Sequence, residues 1–474
     1  MNIMEKKAFS AKNGLFALGI VGSIVYLSLI FNNNLWVDEA FTACIIRGNL
    51  SQMLKGTVSD TLPPFYNIFT WILTSIAGFN PYIMKLSSVI PMVLLLMWLS
   101  PFHIAGLYGA RTAAVFDVCI ICAPHLIHYG IEIRPYSWGL FFATAAGVFA
   151  LQTAISVTGQ DIRKNLAGLV VFSALSGYTH QYALIPSAFV WLVLLIHALY
   201  RRAAEKNILK TRFAAFGVFV LAYMPMLVLT VYQLRRAGGY FSMETLTLST
   251  LLSDLRFPYV TNITPISLIL LIAVLALLVL SIAASFKNSR FLIPVLMMAI
   301  PYLTLGFGYI CSIAAGGNLF TSRYLVPSLG LFWLGAAIAA TDAEGLFSGI
   351  SLKVFPIIML ASLIAVYPQE YQAEYSSGVN RMTAYFDENL SPDDGYIIYE
   401  DKYQIELCMR YYYPDFKKYD WENAGECSGT LWYFEVPGYE GYLDEAAERG
   451  YEAEHISNMG FDRYAFSLYR LKRK

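Results

Sequence analysis

The chain has 474 residues, of which 57% are hydrophobic and only 14% are charged. An average soluble domain carries about 25% charged residues, so the composition excludes an ordinary soluble enzyme. The 33 basic and 33 acidic residues cancel, and no polyanionic partner such as a nucleic acid is expected.

Apolar runs of about 18–25 residues, long enough to cross a bilayer as helices, recur along the chain before the polar tail. They predict about eleven transmembrane helices, at residues 14–31, 82–108, 112–129, 136–157, 166–179, 183–200, 213–232, 263–285, 291–311, 323–341 and 350–367. No small-residue cleavage site follows the first run, and further runs come after it, so it is interpreted as a retained helix. The predicted fold class is a mainly α polytopic membrane protein.

The basic residues of the loops predict the orientation, because short cytoplasmic loops are enriched in lysine and arginine. Lys6 and Lys7 precede the first span, and Arg111 separates the second from the third. The densest basic loop covers residues 201–212. With eleven spans, all of these fall on one side of the membrane. We therefore expect a multi-pass protein of the cell membrane, with its N-terminus in the cytoplasm and its C-terminus outside.

The segment 64–79 is apolar but too short for a span, at about 16 residues. Counting it as a span would place the Arg111 loop on the face opposite Lys6 and Lys7. It is interpreted as an interfacial or re-entrant helix. Residues 32–81 then form one long extracytoplasmic loop.

The tail, residues 369–474, is acidic and rich in tyrosine, and it contains no spanning run. It predicts a small extracytoplasmic α/β domain, separate from a transmembrane domain of residues 1–368. The elements expected in the tail are strands at 396–399, 431–436 and 464–468 and helices at 404–413 and 439–449. Cys408 and Cys427 lie in this tail, and whether they pair is left open.

Two adjacent acids, Asp38 and Glu39, follow directly on the first span. An ionised side chain at mid-bilayer costs roughly 2.5–3.5 kcal/mol, and less near the interface, so a pair of acids beside the membrane needs a reason. General-base chemistry or cation binding supplies one. The alternative is that the pair caps a helix over residues 40–54, although capping needs one acid and not two.

Further polar side chains are expected near the outer surface. Glu132 and Arg134 share a very short loop, His180 lies between two spans, and Arg323 begins another. Arginines suit bidentate capture of a phosphate. The structural alternatives are a helix cap for the loop pair, a hydrogen-bonded structural histidine, and an arginine that snorkels to the interface.

These residues belong to an ordered set of motifs. The set is Asp38-Glu39, Asp60-Thr61-Leu62-Pro63-Pro64-Phe65-Tyr66, Glu132-x-Arg134-Pro135-Tyr136, Thr179-His180 and Arg323-Tyr324-Leu325-x-Pro327. It resembles the GT-C superfamily of membrane glycosyltransferases. The nearest type is family 39, the bacterial relatives of protein O-mannosyltransferases and of the lipid A aminoarabinose transferase. The likeness covers roughly residues 10–345, and it departs at Leu62, where the family often has histidine.

The resemblance implies an inverting glycosyltransferase. Its donor would be a hexosyl or pentosyl group on a polyprenyl phosphate in the lipid bilayer, and its acceptor a hydroxyl from outside. Asp38 would be the catalytic base, and Glu39 would orient it or the acceptor. The donor phosphate and lipid would be bound by Arg134, Arg323, Tyr324 and Lys85. Supporting or substrate-binding roles would fall to Asp60, Tyr66, Glu132, Tyr136 and His180.

No obligatory cofactor is expected, because no cluster of ligands with metal spacing is visible in the sequence. A divalent cation at Asp38, Glu39 and Asp60 is left open. Two other classes compete with the enzyme. A transporter or flippase would place ionisable residues near the midplane and show paired halves, but here the charges cluster at one face and no repeat is visible. A non-enzymatic assembly protein would leave the acid pair unexplained.

Overall fold

The computed structural model describes residues 3–156, 158–201, 207–236, 247–260, 262–342, 350–376, 378–435, 442–461 and 464–474. Residues 202–206 of the basic loop, residue 436 of a predicted strand and residues 439–441 of a predicted helix lie outside these ranges.

The chain divides into two compact units. The helical unit comprises Met1–Ser28, Leu54–Phe69 and Leu86–Tyr367. The loop–tail unit comprises Leu29–Met53, Thr70–Lys85 and Pro368–Lys474. Leu29–Met53 and Thr70–Lys85, which fall in the predicted domain 1–368, thus belong to the same unit as the tail, and the predicted division into domains stays a prediction.

Helices make up most of the described chain. In order they are α1 Ile3–Leu27, α2 Val37–Ile46, α3 Leu50–Ser59, α4 Phe65–Ala77, α5 Pro81–Leu94, α6 Ala105–Cys122, α7 Pro124–Tyr129, α8 Tyr136–Ile155, α9 Gly159–Thr179, α10 Gln181–Arg201, α11 Ile208–Arg236, α12 Leu248–Arg256, α13 Pro265–Ser285, α14 Leu292–Ala315, α15 Val326–Asp342, α16 Ile350–Tyr375, α17 Val379–Asn389, α18 Tyr403–Tyr412 and α19 Tyr442–Glu448.

Within the described residues, nine helical stretches are long and apolar enough to cross a membrane. One of them, Pro81–Cys122, contains the predicted span 82–108 and the first part of the predicted span 112–129. It bends at Gly109, whose φ of 86° favours glycine. The predicted span 166–179, which is not among the nine stretches, lies within α9. The predicted span 112–129 is divided between α6 and α7 by a break at Ala123, and each of the other ten predicted spans falls mostly within helical residues. The prediction of a mainly α, multi-pass membrane protein is confirmed.

The start of α13 shows how the sequence delimits an apolar helix. Thr264 Oγ1 accepts a hydrogen bond from Ser267 N at 3.2 Å, and Ser267 Oγ accepts one from Thr264 N at 2.8 Å. Pro265 occupies the first helical position, where no amide proton is needed. Reciprocal capping of this kind satisfies two amide groups that the helix itself cannot.

Helices α8 and α15 are the most buried helices of the helical unit and pack against each other. A Cβ atom at Gly330 would lie 1.8 Å from Thr144 Oγ1, so the Thr144 side chain of α8 leaves room only for glycine there. The segments 130–135 and 322–325 lead into the N-termini of these two helices. Residues that flank these N-termini are therefore attached to the two most buried helices of the unit.

The tail carries a five-stranded sheet in the order β2-β1-β3-β5-β4. The strands are β1 Gly395–Ile398, β2 Lys417–Lys418, β3 Leu431–Glu435, β4 Tyr451–Phe461 and β5 Tyr464–Arg473. Strand β1 is parallel to β2 and β3, and β5 is antiparallel to β3 and β4. The prediction of a small α/β domain is confirmed.

Three features of the tail correct or complete the sequence expectations. Strand β4 was not expected, because its sequence mixes charged and polar residues without a clean alternation, as suits the partly exposed edge of a sheet. Strand β5 extends to Arg473, beyond the expected end at residue 468. The open question of Cys408 and Cys427 is answered, since both thiols are free.

Candidate active site

The two acids of the Asp38-Glu39 pair have different environments in the first turn of α2. Glu39 is buried, and its Oε2 accepts a hydrogen bond from Trp36 N at 3.1 Å. This contact satisfies an amide group at the helix N-terminus. Asp38 is partly exposed, and its backbone oxygen accepts a bond from Thr42 Oγ1 at 3.1 Å. Capping therefore accounts for Glu39, and the catalytic role predicted for Asp38 stays a prediction.

Lys85 also lies in the loop–tail unit, and its side chain is only 1% exposed. Its Nζ donates to Asn32 Oδ1 at 2.8 Å and forms an ion pair with Glu374 near the end of α16. Burying an ammonium without a carboxylate would cost several kcal/mol, so the pair explains how Lys85 is tolerated here. The structure thus brings Lys85 together with Glu374, and its predicted role as a phosphate ligand stays a prediction.

In the helical unit, the turn between α7 and α8 buries two charged side chains. Glu132 is 2% exposed and Arg134 is 8% exposed. The turn is tight, since Arg134 N donates to Glu132 O at 2.6 Å. Tyr136 begins α8 and is fully buried. The side chain of Tyr136 lies within electrostatic range of Glu132, Arg134, Arg323 and Tyr324.

His180 follows the last residue of α9 and is buried against aromatic rings. Its ring centroid lies 5.4 Å from that of Tyr136 and 4.9 Å from that of Tyr324. Burial, together with the guanidinium groups of Arg134 and Arg323, lowers the pKa of His180 to about 3. The imidazole is therefore neutral at ordinary pH.

The tautomer of His180 follows from its one short contact to the backbone. Nδ1 accepts a hydrogen bond from Tyr182 N at 3.1 Å, so the proton of the neutral ring is on Nε2. In the described part of the chain, neither His180 Nε2 nor the Tyr136 hydroxyl has a hydrogen-bond partner, and both atoms are buried. Each is thus a hydrogen-bond donor available to a ligand.

We define the cationic cluster as Arg134, Tyr136, His180, Arg323 and Tyr324. Tyr324 stacks on Tyr182 with ring centroids 4.8 Å apart, which fixes the turn that carries Arg323. Two positive charges in a low-dielectric environment repel each other strongly, and Glu132 balances part of that charge. With two neutral donors beside two guanidinium groups, the cluster has the chemistry of an oxyanion site.

Two other predicted residues of the helical unit have local structural contacts. The Tyr66 hydroxyl is 2.8 Å from Ser88 Oγ and accepts from Ser87 Oγ at 3.1 Å, which joins α4 to α5. Asp60 Oδ1 accepts from Thr61 N at 2.6 Å in the turn after α3. Their predicted supporting roles stay predictions.

Asp254, in α12, was missed by the sequence reasoning. Its Oδ2 accepts from the Tyr309 hydroxyl at 2.8 Å, and its Oδ1 accepts from Ser322 Oγ, the residue before Arg323. The carboxylate therefore fixes the turn that carries a residue of the cationic cluster. The signal in the sequence is a lone acid in a short amphipathic stretch outside the predicted spans.

A metal site was also considered. Over the ranges that the structure describes, no group of three or more histidine, cysteine, aspartate or glutamate side chains is placed to hold a metal ion. The expectation that no divalent ion is obligatory is a separate statement about activity, and it stays a prediction.

No family model matches the sequence, and no curated protein matches it. Among solved structures, the chain is similar to ArnT from Cupriavidus metallidurans in the apo state, with a TM-score of 0.65 and 12% identity over 97% of this chain and 98% of that one. For the same protein bound to undecaprenyl phosphate, the TM-score is 0.60, with 13% identity over 96% and 97% of the two chains. The chain has the GT-C fold. The fold that the motif resemblance implies is thereby confirmed, and at this identity the likeness establishes the fold alone.

Proposed function

We propose that this GT-C protein is a glycosyltransferase that moves a sugar from a polyprenyl-phosphate donor to a hydroxyl acceptor with inversion. The observation that carries the proposal is the cationic cluster, in which two guanidinium groups lie near two buried neutral donors in a protein that spans the membrane. The similar ArnT structure with bound undecaprenyl phosphate supports this choice of donor. A soluble anion would not require the site to be built among membrane helices.

The cationic cluster would bind the donor phosphate. Arg134 and Arg323 supply fixed positive charge, and His180 Nε2 and the Tyr136 hydroxyl supply neutral donors. As the bond to the sugar breaks, negative charge grows on the phosphate oxygen. One preorganised donor aimed at such developing charge is worth roughly 3–4 kcal/mol of barrier. The cluster would therefore allow the phosphate to leave without being protonated.

Asp38 would be the general base. The acceptor oxygen attacks the anomeric carbon, the bond from that carbon to the phosphate oxygen breaks, and the electron pair leaves with the polyprenyl phosphate. The acceptor proton passes to Asp38. A carboxylate that activates the nucleophile on the face opposite the leaving group is the pattern of inverting enzymes. Glu39, whose carboxylate is held by Trp36 N, would support the start of α2.

The proposal extends to location and cofactor. The protein would lie in the cell membrane with the acceptor side and the C-terminal domain outside, as the distribution of basic loop residues indicates. No divalent cation would be obligatory, so chelation with EDTA should leave the rate of transfer unchanged. A fall in rate that added Mg²⁺ or Mn²⁺ reverses would contradict this and point to Asp38, Glu39 and Asp60.

The test is reconstitution of the purified full chain in proteoliposomes with a panel of polyprenyl-phosphate hexoses and pentoses and a panel of hydroxyl acceptors. Free polyprenyl phosphate and glycosylated product are measured by mass spectrometry. Transfer with inversion is the expected result for at least one donor. Movement of the labelled donor between leaflets without cleavage of any sugar bond would contradict the proposal and favour a flippase.

A further inference from the structure

The segment that leads to α2 is held by the C-terminal domain through one hydroxyl group. Tyr412, the last residue of α18, accepts a hydrogen bond from Leu35 N at 3.0 Å and donates one to Asn33 O at 2.7 Å. All of these residues belong to the loop–tail unit. The hydroxyl thus fixes two backbone groups within five residues of Asp38, although Tyr412 is far away in the sequence.

The other end of α2 is held by the same helix. The Arg47 guanidinium donates to Arg410 O at 2.9 Å and to Tyr411 O at 2.6 Å, two carbonyls in the last turn of α18. Carbonyls at a helix C-terminus carry partial negative charge and favour such a cation. The guanidinium also lies over the rings of Phe79 and Tyr411, at 5.3 and 5.4 Å.

Between these two ends, α2 presents a native thiol to α18. Cys44 Sγ lies 3.9 Å from Leu407 O and is half-buried. Burial raises the pKa of the Cys44 thiol, against the opposite effects of Arg47 and Arg410. A thiol with this environment reacts slowly with alkylating reagents while the two helices are docked.

The segment before α2 is also tied to the end of α16. Phe31 N donates to the Tyr375 hydroxyl at 3.2 Å, and Asn34 Nδ2 donates to Ala373 O at 3.3 Å. Asn32 Oδ1 accepts from Asn34 N at 2.9 Å in addition to the buried Lys85. Residues 31–35 thus have fixed contacts with the end of α16 and with α18. Of these two helices, α18 is the one whose contacts with α2 are described above.

We propose that the C-terminal domain is a positioning element for the catalytic helix: Tyr412 and Arg47 dock α2 on α18 and thereby set the orientation of Asp38. The proposal rests on the role of Asp38 given above. It assigns the domain a function in turnover rather than in capture of the donor. Tyr412 and Arg47 are positioning residues, because they act through α2.

The first test is Tyr412→Phe, with Tyr413→Phe as the matched control. Tyr413 is the next residue, and its hydroxyl donates to Thr383 O at 3.2 Å and Asp387 Oδ1 at 3.0 Å within the C-terminal domain. A shift of a reacting group by about 1 Å can cost on the order of 100-fold in rate. We expect Tyr412→Phe to lower kcat about tenfold with little change in the donor KM, and Tyr413→Phe to change neither.

The second readout does not depend on turnover. Full-length protein in proteoliposomes is treated with a membrane-impermeant maleimide, and alkylation of Cys44 is followed by peptide mass spectrometry. Tyr412→Phe should accelerate alkylation of Cys44 several-fold over the wild type and over Tyr413→Phe. If Tyr412→Phe does not fold, Arg47→Lys serves instead, since it keeps the charge and loses the two-pronged contact.

The outcomes separate this inference from the proposed function. Faster Cys44 alkylation in Tyr412→Phe, with no sugar transfer by the wild type, would support the docking of α2 on α18 and contradict the proposed glycosyltransferase activity. The opposite result is loss of transfer in Asp38→Asn, with Tyr412→Phe indistinguishable from Tyr413→Phe in both kcat and Cys44 alkylation. It would contradict the positioning role and support the proposed glycosyltransferase activity.

Discussion

The cationic cluster and the helix that carries Asp38 are built in opposite ways. The cluster sits beside the N-termini of α8 and α15, two long buried helices that pack against each other with Thr144 against Gly330. Helix α2 has only ten residues, and the segment before it is held by the Tyr412 side chain of the C-terminal domain. An isolated helix of that length is unstable in water, so its position depends on its tertiary contacts.

Under the proposed function, the difference implies that phosphate binding and turnover draw on different parts of the chain. Donors for an oxyanion must be fixed in advance, and the most buried helices can provide that. A base that serves an incoming acceptor can lie on a short element, provided that something distant in sequence orients it. Substitutions in the two regions should therefore fail in different ways.

The largest expected effect is that of Asp38→Asn on turnover. General-base catalysis by one positioned group contributes about 10²–10⁴-fold, and kcat should fall within that range. Binding of undecaprenyl phosphate, measured by isothermal titration in detergent, should be unchanged, because the cationic cluster is untouched. A variant that keeps the wild-type kcat would remove the assigned base.

Arg134→Ala should fail at binding instead. Loss of a buried guanidinium that holds a phosphate should weaken binding of undecaprenyl phosphate by about 10²-fold or more. The control is Arg163→Ala, an exposed arginine in the first turn of α9, which should bind like the wild type. Equal affinity of the Arg134 and Arg163 variants would place the phosphate elsewhere.

His180 gives the cluster a pH dependence of stability. Its pKa in the folded protein is about 3, below the value of about 6.5 in an unfolded chain. Below pH 6.5 the unfolded chain therefore binds a proton that the folded chain does not, and the free energy of unfolding falls as the pH falls. The loss from this residue is about 2 kcal/mol at pH 5.

The check is the melting temperature of the wild type and of His180→Gln between pH 7.5 and pH 5. Glutamine keeps a side-chain donor and does not titrate, so the variant should lose less stability on acidification than the wild type. Parallel curves for the two proteins would show that the imidazole is not held neutral.

A smaller effect is expected at Asp254, which fixes the turn before Arg323. Asp254→Asn replaces a charge-assisted contact to Ser322 and Tyr309 by a neutral one, and the donor KM should rise about fivefold. Tyr309→Phe removes one of the two partners and should raise the KM less. The ranking is checked by steady-state kinetics with the donor varied. If Tyr309→Phe raised the KM as much as Asp254→Asn does, the effect would not come from the contact of Asp254 with the turn that carries Arg323.

How much the sequence could predict also differs between the two regions. The spans and the residues of the cluster follow from apolar runs and from charges that interrupt them, which are local signals. Nothing local in Tyr412 or Arg47 distinguishes them from other surface residues of a polar stretch. Their proposed role depends on contacts between segments more than 360 residues apart, such as that between Arg47 and Arg410. The hydrophobic periodicity of a sequence does not predict contacts of this kind.

The pairing of Lys85 with Glu374 makes the same point. A lysine early in a predicted span attracts a functional interpretation, because an intramembrane charge without a partner is costly. Its partner is 289 residues away, near the end of α16. The sequence could show that Lys85 needs a negative group but not that a carboxylate of the chain provides one.

The smallest effect, at Glu39, sharpens the comparison most, because it is adjacent to the largest. Glu39→Gln keeps a side-chain oxygen that can accept from Trp36 N. The free energy of unfolding should therefore stay close to that of the wild type, and kcat should stay within about twofold. Glu39→Ala loses the cap and should lower the stability of the fold by about 1 kcal/mol. Thermal unfolding and steady-state kinetics of the two variants, beside Asp38→Asn, measure this. If Glu39→Gln lost turnover as Asp38→Asn does, the two acids would share one catalytic role, and the distinction between a base and a cap would be wrong.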